Sequence, residues 1–533
     1  MRKYLIILIL FVTPVHLIAQ TGSTVEQVEL HKLTNNWLVV NNPAGLAFVN
    51  FQQYGNTELA YGNEGGNLHR AQEGNKVFGL KFNSERYDKI NDNWLSWGSF
   101  EFKMNKEENR KWSNVFNTYN SSPYLFGDSV AGRYDLQSFD LHAKICRNIQ
   151  DKWSVGVGLD YFAGDMSRLS DPRTRTFVAN YSITPAAVYR INNHNIVGLS
   201  SGFRFEKEKM PSVTTVQDDP EISYYFFLGN ENANGIKDAY IGFDRQFINR
   251  AFFAEAQYNF LTKNLDWLST IGVSSGKQEV LGSEREGPGE FLTTKIHLNS
   301  KANISIYNKL LVFDLKSSYQ NGSANEFLQE LVTTRDTVTH DVSKNWITLY
   351  VYNNRYSTTS FNTSFNISLR NLLNNATDYS WSAGVDGQFY GFSNIYQLPY
   401  SAFENQRARF GVNGNIRIFN KNQHRVTLQA AGGYAFSVND NLKLNSIATS
   451  VPGIGSTTFE KATYKLANQI LVPDMNFYKE IVVDFRADAR YSFPLKVKKS
   501  VLTGQVKAYF GMQRSENLGS WTSAGVSVGI ITL

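Results

Sequence analysis

His142 stands in the run SFDLHAKIC, with Asp140 two places before it, Lys144 two places after it, and Cys146 two beyond that. Residues two apart share a face of an extended chain, so these four would line one side of a strand. A histidine beside a carboxylate is the pair from which general-base catalysis is built. It still needs a nucleophile or a metal converging in space. The remaining histidines are scattered and show no HExxH or similar spacing. The single cysteine excludes an intramolecular disulfide and a cysteine-rich zinc site. The expectation is therefore a solvated pair and an inert thiol, with no catalytic residue, no metal and no cofactor.

A second set of charges is more regular. Asp484, Arg486, Asp488 and Arg490 alternate with Val483, Phe485, Ala487, Ala489 and Tyr491. Arg407, Arg409 and Arg417 alternate with Ala408, Phe410, Val412, Ile416 and Ile418. Such rows recur, as in HRVTLQAAGGYAFSV from His424 to Val438, and many reach the ~9–11 residues of a tilted membrane-crossing strand. Soluble sandwiches use strands of about 5–6 residues. The long apolar rows are thus expected to face hydrocarbon, and Arg407, Arg409, Arg417, Asp484, Arg486, Asp488 and Arg490 to line an interior. There, mixed signs on neighbouring strands pair and stiffen the wall, or set a field across a pore.

The elements that must position these residues follow from composition and spacing. Aromatic residues make up 14% of the 533, which argues against disorder, and a net charge of +6 without a basic run argues against nucleic acid as a partner. Short links (NIQDK at Asn148–Lys152, NNHN at Asn192–Asn195, NKNQ at Asn420–Gln423) alternate with long ones, as tight periplasmic turns alternate with outer loops. The chain reads as an all-β, transmembrane, antiparallel up-and-down barrel of about sixteen strands, with fourteen or eighteen left open. The first strand falls near Asn93–Met104, while Val77–Tyr87 and Asp238–Phe247 are each strand or loop. A basic start at Arg2 and Lys3 and the apolar YLIILILFV mark residues 1–19 as a signal peptide cut before Gln20. Residues 20–76 then form a periplasmic hatch segment and residues 77–533 the barrel.

Within the hatch segment lies NNPAGLAF. Its Asn42, Pro43, Ala44 and Gly45 resemble the FadL family of long-chain fatty-acid transporters, where such a motif belongs to an N-terminal hatch plugging the barrel. A plain Pro-Gly turn is the alternative. SERYD (Ser84–Asp88), WLSWGSFEF (Trp94–Phe102) and SSPYLFGDSVAG (Ser121–Gly132) resemble an uncharacterised family of Gram-negative outer-membrane barrels, carried as a domain of unknown function. That resemblance spans the mature chain. It implies an envelope uptake role beside TonB-dependent transporters and carries over no catalytic residue.

The function expected is passage of a small molecule, hydrophobic or amphipathic in the first instance. Tyr224, Tyr225, Phe226 and Phe227 are the expected apolar capture surface in an outer loop. GNENANGIKD (Gly229–Asp238) is expected to be a mobile outer loop. The expected partners are outer-membrane lipid, the barrel-assembly machinery and a TonB-dependent transporter. A non-conducting accessory barrel and a barrel hydrolase are the rival readings.

Overall fold

The structure, a computed structural model, describes residues 24–533 apart from 212, 215–223, 237–243, 283–285, 336–337, 340, 374–377, 422 and 498–499. The expected signal peptide, residues 1–19, lies outside the described residues. No helix among the described residues is long and apolar enough to cross a membrane.

Eighteen antiparallel strands form a closed barrel. The ring shuts where Gln53–Gly66 pairs with Ser520–Thr532, Leu59 opposite Val528. The two strands beyond the expected sixteen are Gln53–Gly66 and Lys76–Lys89, so Trp94–Arg110 is the third strand and not the first. The wall therefore begins at Gln53, inside the segment assigned to the hatch. Its first strand was hard to read because its outward row is Thr57, Leu59, Tyr61, Asn63 and Gly65, in which two apolar side chains stand among polar and small ones.

Orientation follows the alternation. Phe410, Val412, Ile416 and Ile418, and likewise Val483 and Phe485, are exposed on the outer face. An apolar outer face with charge inside is what a hydrocarbon-facing wall requires. Links at one end are short and held by side-chain turns: Asn192 Oδ1 accepts from His194 N at 2.9 Å and Asn195 N at 2.8 Å. Long connections gather at the other end.

Two strands outgrow the wall. Lys309–Arg335 and Val342–Leu373 stay paired to Arg335 opposite Val342. Their outer neighbours leave at Glu326 (opposite Gly289) and at Tyr356 (opposite Tyr396). The remaining two-stranded ribbon reaches roughly 30 Å past the loop end, with Leu328, Ile347, Leu349 and Tyr350 exposed.

Both ends of the lumen are filled. At the short-turn end a plug made of the helix Val25–Thr34 and the short helices Asn36–Leu38 and Pro43–Phe48 lies inside the wall. Thr24 and Gln27 close the first helix with a reciprocal capping box. At the loop end a small sheet of Phe126–Asp128, Tyr224–Gly229 and Asn232–Ile236 lies within the ring, roofed by the helices Thr458–Leu466 and Val472–Lys479.

Candidate functional site

The candidate site is the lumen between plug and cap. At the plug, polar side chains and small residues meet the wall. Asn42 caps the helix Pro43–Phe48 by accepting from Ala44 N at 2.9 Å, and donates to Gln257 Oε1 on the wall, also at 2.9 Å. Trp37 Nε1 donates to Asn259 Oδ1 at 2.9 Å, and Asn303 Nδ2 to Asn36 Oδ1 at 2.9 Å. The motif Asn42, Pro43, Ala44 and Gly45 is therefore wholly buried inside the barrel. Its fit depends on wall glycines. A Cβ on Gly156 would come 2.7 Å from Ala44 N, and one on Gly198 would come 2.9 Å from the Trp37 ring. Cys146, opposite Gly156, lies beneath the plug with Sγ 3.5 Å from Ala44 O.

Ion pairs fasten the other side of the plug. Glu29 meets Arg490 at 2.6 Å and Arg425 at 3.0 Å, and Arg425 also meets Glu26 at 3.3 Å. Lys32 reaches Glu85 at 2.5 Å. Burial works against ionisation of Glu29, but Arg490 and then Arg425 outweigh it and hold the carboxyl below its ordinary range.

Each of the seven charged lumen candidates falls on the inner side of the wall, in differing roles. Arg409 joins Asp386 and Asp484, the latter at 2.7 Å. Arg486 pairs with Asp488 at 2.9 Å, Arg417 with Asp378, and Arg490 with the plug. Arg407 instead serves the cap, donating to Glu480 O at 2.9 Å. Arg417, Arg486, Asp488 and Arg490 border a cavity of 870 Å³ beside the plug helix, which Glu58 and Lys507, paired at 2.5 Å, also line.

The cap corrects two expectations. Tyr224, Tyr225, Phe226 and Phe227 are not an exposed capture surface: all four are buried in the central strand of the cap sheet. Their outer-loop position made them look free, but the loop folds back into the mouth. There Tyr224 and Phe226 pack among Met210, Phe247, Phe291 and Tyr356 of the wall. In GNENANGIKD, Glu231 and Asn232 are likewise buried, and Asn445 N donates to Glu231 Oε1 at 3.0 Å.

Buried charges tie the cap together. Arg168 and Asp128 pair at 3.1 Å with both side chains wholly enclosed, and Asn114 donates to Asp128 at 3.0 Å. Asp474, on the roof helix, accepts from Ala71 N at 2.7 Å and from the Tyr119 hydroxyl at 3.2 Å. Its burial pushes the carboxyl up to about 7.

His142 sits between Asp160 at 2.6 Å and Asp140 at 3.2 Å. Ser182 donates to Asp160 at 2.6 Å, so this hydroxyl is bonded to the carboxylate and not to the imidazole. That order is the reverse of what activates a serine.

Sequence reasoning missed Glu29, Trp37, Arg425 and the glycines Gly156 and Gly198. Two signals pointed to them. Thr24-x-x-Gln27 is a helix-start pattern, and the inward row Ser154, Gly156, Gly158 is too small to fill space without a partner.

The profile of a Family of unknown function (DUF6850) matches residues 43–532, and the chain belongs to that family. No curated protein matches it. Among solved structures it is similar to the ferric yersiniabactin uptake receptor of Yersinia pestis, with 7% identity, TM-score 0.39, and 90% of this chain and 80% of that one covered. It is also similar to an outer membrane transporter of Escherichia coli, with 9% identity, TM-score 0.38, and 89% and 80% covered. An iron transporter of Neisseria meningitidis gives 10% identity, TM-score 0.36, and 92% and 83% covered.

Proposed function

We propose that this member of a family of unknown function is an outer-membrane barrel, exported on a cleaved signal peptide at residues 1–19, through which a small molecule passes. The observation that carries this reading is a lumen with cavities of 870 and 780 Å³ between two fillings of different make. The plug meets the wall through ion pairs, side-chain hydrogen bonds and glycine notches, and through an apolar cluster in which Val28, Trp37 and Leu46 pack with Tyr87, Val188 and Leu268. It acts as a hatch, in the manner the FadL-like motif implies, and passage is passive once it shifts. The protein is not an enzyme, and it requires the barrel-assembly machinery for insertion in lipid.

Recordings in planar bilayers test this, comparing the wild type with Glu29→Ala. Rare openings in the wild type and frequent ones in the variant are expected. Silence in both, with no solute uptake into liposomes, would overturn the reading.

The projecting ribbon supports the alternative, a non-conducting accessory barrel beside a TonB-dependent transporter. An isolated two-stranded ribbon is marginal in water, and this one presents Ile347 and Leu349 to solvent. A photocrosslinker at Tyr350 that captured such a transporter, together with silent bilayers, would select this reading.

A further inference from the structure

The inner wall is chemically divided. From Ser401–Lys421 round through the closure to Trp94–Arg110 it carries ion pairs: Arg409 with Asp484, Arg486 with Asp488, Lys507 with Glu58, and Lys81 with Glu101 at 2.5 Å. From Trp153–Arg168 to Asp378–Tyr396 the loop-side half carries mainly amides and hydroxyls. Two cavities lie there, of 780 and 350 Å³, and both are bordered by Asn120, Ser121, Lys295 and Gln320, so they adjoin beneath the cap.

We infer that this amide-lined compartment binds an uncharged, polyhydroxylated molecule, a neutral oligosaccharide. The inference rests on the passage reading and names the class of molecule that passes.

Three features carry it. First, amide side chains offer donors and acceptors together, which matches hydroxyl groups that also do both. Gln388 Nε2 donates to Asn362 Oδ1 at 3.0 Å, Gln320 Nε2 to Ser121 Oγ at 2.6 Å, and Thr358 Oγ1 to Asn394 Oδ1 at 2.7 Å. Each bond uses one valence of an amide or hydroxyl that has more to give. Second, aromatic rings border the same space: Phe116 and Phe162 meet edge to face at 5.5 Å in the larger cavity, and Tyr390 and Phe392 border the smaller. Rings beside amides suit the apolar and hydroxylated faces of a sugar. Third, the larger cavity holds no surplus of formal charge: Arg204 and Lys295 are equalled in number by Glu206 and Glu208. An apolar guest would strip water from the amides without replacing its hydrogen bonds, which is costly. The volumes lie in the range of about 300–1,000 Å³ typical of small-molecule sites.

The test uses the full-length barrel in detergent against arrayed neutral tri- to pentasaccharides, galacturonate oligomers and palmitate. Retention of at least one neutral glycan is expected. Asn362→Leu and Gln388→Leu, which face the lumen outside the packed core, should each weaken binding by about tenfold, the value of one hydrogen bond. Tyr307→Asn, at a fully exposed short turn outside the lumen, should leave it unchanged. Unboiled samples that keep their fast gel migration show that the barrel is intact. Retention of galacturonate or palmitate alone, of no glycan, or equal losses in all three variants would overturn the inference. Bilayer conductance separates the two readings: conductance without glycan binding overturns this inference and leaves passage standing, whereas glycan binding in a silent barrel does the reverse.

Discussion

Glu29 Oε1, on the plug helix, lies 2.6 Å from Nη2 of Arg490 on the wall, while its other oxygen accepts from Arg425 at 3.0 Å. One carboxylate thus joins a segment near the start of the chain to two adjacent strands near its end. The Arg425 side chain is almost fully enclosed. Removing Glu29 therefore leaves the enclosed Arg425 only the longer contact to Glu26, at 3.3 Å, as well as freeing the plug.

Glu29→Ala should loosen the plug by about 3 kcal/mol, the order found when one partner of a buried pair is deleted. Hydrogen exchange in residues 25–48 should rise while the wall strands stay protected. Unchanged exchange would mean that the polar contacts of Asn36, Trp37 and Asn42 suffice.

Cys146 gives an independent readout. Its thiol is covered by Ala44, so a water-soluble maleimide should not label the wild type. Gly156→Val places side-chain atoms where Ala44 N and Pro43 sit and should make Cys146 reactive without altering any charge. Labelling in both proteins, or in neither, would contradict the plug position.

The cap should respond to pH through Asp474. Its carboxyl is raised in the folded state, so the contribution it makes is complete in acid and is lost as pH rises through about 7. Proteolysis within the roof segment 446–479 should accelerate as pH rises from about 4 to about 7 and level off above that. Asp474→Asn, which keeps an acceptor for Ala71 N, should flatten that dependence.

Arg168→Met should leave Asp128 enclosed and unpaired. A loss of about 3–5 kcal/mol is expected, seen as cap proteolysis with heat-modifiable gel migration retained.

Orientation of the wall is testable at Val412, which is 63% exposed on the outer face. Val412→Arg should cost about 2–4 kcal/mol if it lies near the bilayer midplane, measured by refolding into vesicles. At inward Asn413, which donates to Asp386 at 3.2 Å, the same replacement should be tolerated, because a carboxylate faces the new cation.

Part of this was written in local pattern. Alternation in Val483 to Tyr491 and in Ala408 to Ile418 sufficed for strands, their orientation and the inward placement of Arg409 and Asp488, because strand geometry puts every second side chain on the same face. It failed at Gln53–Gly66, where the outward row is short of apolar residues, and the strand declares itself only through its pairing with Ser520–Thr532.

The sequence by itself determined the architecture, since a period of two over long rows admits one stable answer in lipid: a closed sheet with charge inside. Only the tertiary structure decided what fills the lumen. Tyr224–Phe227 looks the same in sequence whether it faces water or folds into the mouth, and Glu29 has no local reason to seek Arg490. Those outcomes depend on contacts between residues hundreds of positions apart, which period and propensity do not encode.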